Sequence, residues 1–401
     1  MAFRSPALLA AFASAFCFTA FPQVKVGADL HLEKHSDLIR GKRVGLVTNH
    51  SAVLADGRHL ADALHERSDV RLVALFGPAH GIRGDAPAGA KIQHGVDEKT
   101  GVPAYSLYGK DYKPTEEMLK EVDVLMYDIQ DVGARFYTYI STLSYAMEAA
   151  AEKGIPFLVL DRPNPIRGTW VEGFVREDSL RSFVGLHPIP VAHGMTVGEL
   201  ATIYNEEGWL KNGVKAMLTV VTMEGWNRKM WFEETGLSWT RPSPNIKTPT
   251  TAALYPGTCL IEGTNLSEGR GTERPFEYIG APFVDGSRLA AELNGKRLPG
   301  VRFDTVRFTP REIPNVVGNP KHKGNECGGI AIVLTDRNVY EPVKTGIFIL
   351  AAAKRLFGKD FQWRGSINRL TGTSRVRQSI SEGVPAEEIV KEWAPEVEKF
   401  K

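Results

Sequence analysis

An α/β fold is predicted for this chain, with a Rossmann-like parallel sheet followed by a smaller α+β unit. Three observations carry the prediction. Apolar runs alternate with helix signals through the first half of the sequence, the pattern of strands joined by crossover helices. The runs are continuous rather than alternating with polar residues, as strands covered on both faces require. The composition then shifts at Arg241-Pro-Ser-Pro-Asn245 and Pro249, a Pro-rich stretch that reads as loop. The expected units are residues 23–245 and 246–401.

The elements follow in order. Arg4 supplies a positive start, Pro6 to Phe21 is almost entirely small or apolar, and Ala13-Ser14-Ala15 fits a cleavage site. Residues 1–22 therefore read as an export signal, which places the mature chain in the periplasm or outside the cell. Phe16 precedes Cys17 where a lipoprotein would need a small residue. Cys259 and Cys327 remain; two thiols can pair, but are too few for a disulfide scaffold or a thiolate zinc site. Strands are expected at Arg43–Thr48, Arg71–Phe76, Val122–Tyr127, Ile155–Leu160 and Leu218–Met223. Between them, helices are expected at His59–Arg67, at Thr115–Val122 after Pro114, and at Ser141–Lys153, which stops at Gly154. Thr196-Val-Gly-Glu199 matches a capping box, so Glu199 is assigned to structure rather than catalysis. Beyond the Pro-rich loop, Ser287–Leu293 and Lys344–Leu356 read as helices, and Val301–Phe308 and Gly329–Thr335 as strands.

Charge excludes several partners. Lys plus Arg total 49 against 47 for Asp plus Glu, a net +2 in 401 residues. Nothing there calls for nucleic acid or an anionic membrane. Past the N-terminus no stretch is long and apolar enough to span a bilayer, so stable membrane insertion is not expected.

The chemistry collects behind the strands. The first runs into Asn49-His50-Ser51, the second into Gly77-Pro-Ala79-His80-Gly-Ile-Arg83-Gly-Asp85. The third runs into Asp128-Ile-Gln130-Asp131-Val-Gly-Ala-Arg135-Phe-Tyr137-Thr-Tyr139, the fourth into Asp161-Arg162-Pro-Asn164-Pro. In open α/β sheets ligands bind outside the carboxyl ends of the strands, so four polar loops there argue for one assembled site. The second unit adds Asn245 and the stretch Glu262-Gly-Thr-Asn265-Leu-Ser-Glu268-Gly-Arg270-Gly-Thr272-Glu273. Its glycines let backbone approach a ligand closely. No Gly-x-Gly-x-x-Gly follows the first strand, and Walker, His-Glu-x-x-His and Gly-x-Ser-x-Gly motifs are absent. A metal site from His80, Asp85, Asp128 and Asp131 is an alternative, without ligand spacing behind it. Carboxylates, arginines, amides and tyrosines in an exported chain suit a sugar, since a carboxyl pair can do glycosidic acid–base work.

These motifs resemble those of the exo-β-N-acetylmuramidases of the NamZ type. The stretches are Gly77–Asp85, Asp128–Tyr139, Leu160–Pro165, Pro242–Asn245 and Glu262–Thr272, and the likeness runs from about Lys42 to the C-terminus. The resemblance implies a site in the cleft between the two units. It also implies release of N-acetylmuramic acid from the non-reducing end of peptidoglycan chains, with no metal or organic cofactor. The sugar's lactyl carboxylate would want a bidentate cation, with Arg83, Arg135 and Arg270 as candidates. The family usually reads Pro-Glu-His-Gly, and that Glu is its leading candidate for the general acid. Here Pro78-Ala79-His80-Gly81 stands instead. Alanine cannot donate a proton, so the chain is expected to bind better than it cleaves; an exported muropeptide-binding protein without turnover is the alternative. Asp128, Asp131 and Glu262 are expected to line the pocket, one of the two aspartates orienting Arg135 or His80. Asn49, His50, Arg83, Asp85, Gln130, Arg135, Tyr137, Asn164, Asn245, Glu268, Arg270 and Thr272 are expected to contact the sugar.

Overall fold

A computed structural model describes residues 23–84 and 93–401; the export signal and Asp85 lie outside the described residues. Its first seven strands are β1 (Arg43–Thr48), β2 (Arg71–Gly77), β3 (Gly95–Val96), β4 (Pro103–Ser106), β5 (Val124–Asp128), β6 (Phe157–Leu160) and β7 (Leu218–Val221). They form one sheet in the order β3-β4-β2-β1-β5-β6-β7. All neighbours are parallel except the short pair β3–β4. Both faces are covered, and residue parity divides the side chains between two cores. Leu125, Tyr127, Phe157 and Val159 enter one; Val124, Met126, Leu158 and Leu160 enter the other. That division is why the strands read as continuous apolar runs.

The helices sort the same way. Helices Gly27–Lys34 and Leu60–His65 close the smaller core, while Tyr139–Lys153 and Val197–Glu206 close the larger. Gly154 ends the third of these with φ 72°, the left-handed turn glycine makes at least cost. The capping box forms: Glu199 N–H donates to Thr196 Oγ1 at 3.2 Å, and Thr196 N–H donates to Glu199 Oε2 at 3.0 Å. Beyond the Pro-rich loop, Thr248 and Pro249 open helix Pro249–Thr258, which packs on helix Pro342–Phe357. Strands β8 (Tyr278–Ala281), β9 (Val301–Phe308) and β10 (Cys327–Leu334) make an antiparallel sheet ordered β8-β10-β9. Its inward residues, including Ile330 and Ile332, join the larger core.

The structure departs from expectation in a few places. Residues 115–122 form successive turns rather than a helix: Leu119 N–H is shared between the Thr115 and Glu116 carbonyls, and Val122 N–H reaches back only to Leu119. Eight residues between Pro114 and Asp123 are too few to repay helix nucleation. Strands β3, β4 and β8 were not anticipated. They are two to four residues long, and Pro103 opens β4 at the position where a strand tolerates it. Cys259 and Cys327 are both buried and unpaired. No described helix is long and apolar enough to cross a membrane.

Candidate functional site

The strands β2, β1, β5 and β6 are parallel neighbours, so their ends Gly77, Thr48, Asp128 and Leu160 emerge at one edge. Chain order reverses between β1 and β5, the crevice where doubly wound sheets bind ligands. The Pro-rich loop crosses it, held from both sides. His50 Nε2–H donates to the Arg241 carbonyl at 2.7 Å, and the Tyr139 hydroxyl donates to the Pro242 carbonyl at 2.7 Å. Asn49 sits beside that hydroxyl and also accepts from Ser51 N–H and Oγ. The loop after β2 turns sharply: Gly81 N–H donates to the Pro78 carbonyl, and His80 and Gly81 have φ of 75° and 74°. His80, a non-glycine residue in the left-handed region, stores strain of the kind held at functional turns, whereas Gly81 takes that conformation freely. Ala79 heads that turn, half-buried against the larger core. Gly84 then passes so close to His50 that a Cβ would lie 2.5 Å from Nδ1.

Three residues of the Asp128–Tyr139 loop turn out to build the site's frame. Asp128 is fully buried and makes a bidentate pair with Arg162, at 2.5 and 2.9 Å. Its carboxylate is thus committed to Arg162, while Arg135 is held elsewhere. Gln130 donates to the Asp131 and Pro163 carbonyls, and Asn164 spans the Ile166 amide and the Met195 carbonyl; both side chains are spent on loop geometry. Arg135, expected at the sugar, is 1% exposed and donates to the carbonyls of Phe174, Ile189 and Leu370. Burial, then the neighbouring Arg176, pushes its pKa down, and among the described residues no carboxylate pairs with it. It ties the two units together from inside.

Asp131 is different. Its Oδ2 accepts from Gly133 N–H at 2.7 Å and from His193 Nε2 at 3.2 Å. Met195 N–H donates to His193 Nδ1, so the ring's proton sits on Nε2 and points at the aspartate. Asp131 Oδ1 is buried with no partner, as is Asn245 Nδ2 in the crossing loop. Buried polar atoms are almost always satisfied, so each of these two orphans has hydrogen-bonding capacity to offer a polar ligand.

An aromatic ladder joins this edge to the second unit. Tyr139 meets Tyr137 edge-on at 4.7 Å, Tyr137 meets Tyr255 at 5.8 Å, and Tyr255 meets Phe276 at 4.8 Å. The Arg270 guanidinium lies over Phe276 at 4.8 Å. Arg270 donates twice to Glu262 Oε1, at 2.8 and 3.2 Å, and lies 3.5 Å from Glu268. Burial works against its charge, but the two carboxylates outweigh burial and hold its pKa above the ordinary value. Glu268 is buried and also meets Lys321 at 3.0 Å, while Glu262 keeps 31% of its side chain exposed. Thr272 Oγ1 donates to the Gly269 carbonyl and accepts from Arg274 N–H, shaping the loop. Arg83 is held by Asp97 at 2.7 and 2.8 Å and by Asp62 at 2.8 Å, which leaves no edge of its guanidinium for a lactyl group.

Family models for the N-terminal and C-terminal parts of the exo-β-N-acetylmuramidase NamZ match residues 44–250 and 253–401. The chain belongs to the NamZ family. It is 49% identical over 381 residues to the peptidoglycan β-N-acetylmuramidase NamZ of Bacillus subtilis strain 168, covering 94% of this chain and 89% of that one. Two solved DUF1343-family structures from Bacteroides fragilis NCTC 9343 share the fold. One superposes with TM-score 0.86 at 38% identity, the other with 0.77 at 33%; each alignment covers 94% of this chain and 96% of the other.

Within this NamZ-family chain, the structure brings Asn49, Asp131, Tyr137 and Asn245 to the crevice, and places Glu262, Glu268 and Arg270 at the far end of the ladder. Ala79 and His80 head the adjoining loop. Among the described residues no three His, Cys, Asp or Glu side chains are grouped to hold a metal ion. Of the four residues weighed for one, Asp128 is committed to Arg162, and Asp131 to Gly133 and His193. Sequence reasoning missed His193, Arg162 and Lys321 as organisers. Arg162 was legible, adjoining Asp161 behind β6; a lone His and a lone Lys far along the chain offer no local signal.

Proposed function

We propose that this chain is an exo-acting glycoside hydrolase that takes N-acetylmuramic acid from the non-reducing end of peptidoglycan fragments, and that Ala79 leaves it strongly impaired. The observation that carries the reading is the crevice at the β1/β5 reversal, where Asp131 Oδ1 and Asn245 Nδ2 are buried without partners in a chain of the NamZ family. Sugar hydroxyls and an acetamido group supply the missing donors and acceptors. Of the three arginines, Arg135 is withdrawn by burial and Arg83 has both edges of its guanidinium on Asp97 and Asp62; Arg270, whose two hydrogen bonds both go to the single oxygen Glu262 Oε1, remains for the lactyl carboxylate.

A glutamate at position 79 would be half-buried, and burial raises a carboxyl pKa toward the range useful to a general acid. Losing such an acid costs about 10²–10⁴-fold in rate. The test is Ala79→Glu, assayed on a chromogenic β-N-acetylmuramide beside calorimetric binding of N-acetylmuramic acid. Binding by both forms and a gain of about 10²–10⁴-fold in the variant are expected. Equal turnover by the two forms would move the acid role to Glu262. Binding with no turnover in either would make the chain a muropeptide-binding protein, the second reading that Ala79 itself favours. Export follows from Arg4 and the apolar run Pro6–Phe21; a mature N-terminus before about residue 23, found by sequencing the secreted protein, is the expected result.

A further inference from the structure

Strands β2 and β4 are paired in register, with Gly77 opposite Ser106, and Leu107 N–H donates to the Gly77 carbonyl at 2.7 Å. Ala79 and Tyr108 thus each stand two residues past matched positions on adjacent strands. Tyr108 opens a cluster of rings. It meets Tyr112 at 6.3 Å and Phe183 at 6.2 Å; Tyr112 meets Phe183 at 4.4 Å, and Tyr145 lies nearly parallel to Phe183 at 6.3 Å and 9°. Phe183 is fixed by its backbone, since its carbonyl accepts from Ser141 Oγ at 2.8 Å and Ser182 bridges Gly185. All four rings are partly exposed, and Tyr112 is 38% exposed. Burial, then Tyr112, then the Glu262 carboxylate push the Tyr108 phenol up, so the cluster's inner end also lies within electrostatic range of the second unit's carboxylate.

Four partly exposed rings cost a soluble protein apolar surface that folding would otherwise cover. The ladder of Tyr137, Tyr139 and Tyr255 is buried and holds the units together; this cluster closes no core. Its place decides what it fits. A general acid protonates the leaving-group oxygen, so the aglycone departs past position 79, at the sheet edge to which the neighbouring strand delivers Tyr108. We propose that Tyr108, Tyr112, Tyr145 and Phe183 form a stacking platform for the sugar rings on the leaving-group side, so that the protein favours glycan chains over isolated disaccharides. The platform rests on the glycosidase reading above and deepens it. Pyranose rings present an apolar face that stacks on an aromatic ring, and a stacked contact is worth about tenfold in affinity.

Calorimetry on the full chain tests this with three probes: N-acetylmuramic acid, its β-linked disaccharide with N-acetylglucosamine, and the corresponding tetrasaccharide without stem peptides. The tetrasaccharide is expected to bind about tenfold or more tighter than the disaccharide. The double variant Tyr112→Ala/Phe183→Ala is expected to erase that increment and hold the affinity for N-acetylmuramic acid. Tyr112→Phe keeps the ring and is expected to keep the increment, which separates stacking from misfolding. Equal affinity for both lengths, or an increment that survives the double variant, overturns the platform and leaves the proposed function standing. Failure to bind all three sugars overturns both. A concentration-dependent rise in sedimenting mass that Tyr112→Ala abolishes would make the patch a contact between copies of this chain, and would also overturn it.

Discussion

Asp128 and Asp131 stand three residues apart on one loop, yet their surroundings assign them opposite duties. Asp128 and Arg162 are both buried and share two hydrogen bonds, at 2.5 and 2.9 Å. Removing one member of such a pair strands a buried charge, at a cost of about 3–5 kcal/mol. Asp128→Asn is therefore expected to lower the unfolding free energy read from urea titrations by an amount in that range, with any loss of turnover tracking the loss of fold. Asp131 has one oxygen in use and one buried without a partner. An asparagine there keeps one carbonyl oxygen for Gly133 N–H and loses the charge. In an Ala79→Glu background, Asp131→Asn should cost at least about tenfold in turnover while its urea midpoint stays near that of the parent. Normal turnover in this variant would take Asp131 out of the site.

Two buried groups make individual helices sensitive to pH, in opposite senses. Glu172 accepts from Val343 N–H at 3.1 Å and Lys344 N–H at 2.7 Å, capping helix Pro342–Phe357 from the first unit. Burial pushes its pKa up from 4.5 to about 7, against the pull of those amides. The fold thus prefers the neutral acid: the stability this brings is fully present below about pH 4.5 and is lost as pH rises through 7. His31, in helix Gly27–Lys34, is fully buried with neither ring nitrogen bonded. Burial pushes its pKa down from 6.5 to about 4; its contribution is present above pH 6.5 and lost as pH falls through 4. Glu172→Gln should flatten the stability profile between pH 4.5 and 7, and His31→Phe between pH 6.5 and 4, in urea titrations at stepped pH. Superimposable profiles for variant and parent would refute either assignment. Elements of this kind also show how far the sequence could be read. Strand β1 was legible to the residue because its apolar run is bounded by turns, strand β9 because β-branched and aromatic residues recur through Val301–Phe308, and Thr196-Val-Gly-Glu199 because its bonds are local. Strand β4 was not, since four residues beginning with proline depend on β2 for their pairing. Asp131 and Glu262 were legible as polar residues behind apolar runs, whereas the burial of Arg135 depends on carbonyls at positions 174, 189 and 370, which only the folded chain brings together.

At the scale of the whole molecule, the larger core decides how the two units behave. Val47, Phe76 and Tyr127 from the parallel sheet share it with Ile330, Ile332 and Phe348 from the second unit. A common core of this kind makes the units unfold together rather than in turn, and Arg135 is its polar pin. The guanidinium reaches Phe174 and Ile189 in the first unit and Leu370 in the second, at 2.6–2.9 Å. Gly372 passes so close that a Cβ would lie 2.6 Å from Arg135 Nη2. Arg135→Ala removes three charge-assisted bonds and leaves their carbonyls buried with nothing to accept, each costing about 1–3 kcal/mol, and it opens a void in close-packed surroundings. Releasing a buried charge from its desolvation penalty returns part of that, so the net loss is expected to be on the order of 3 kcal/mol. Calorimetry of the parent should show one transition, and the Arg135→Ala variant one transition at lower temperature with affinity for N-acetylmuramic acid retained in the folded fraction. Two separated transitions in the parent would show that the units unfold independently. Loss of sugar affinity at full folding would return Arg135 to the binding site from which its burial removes it.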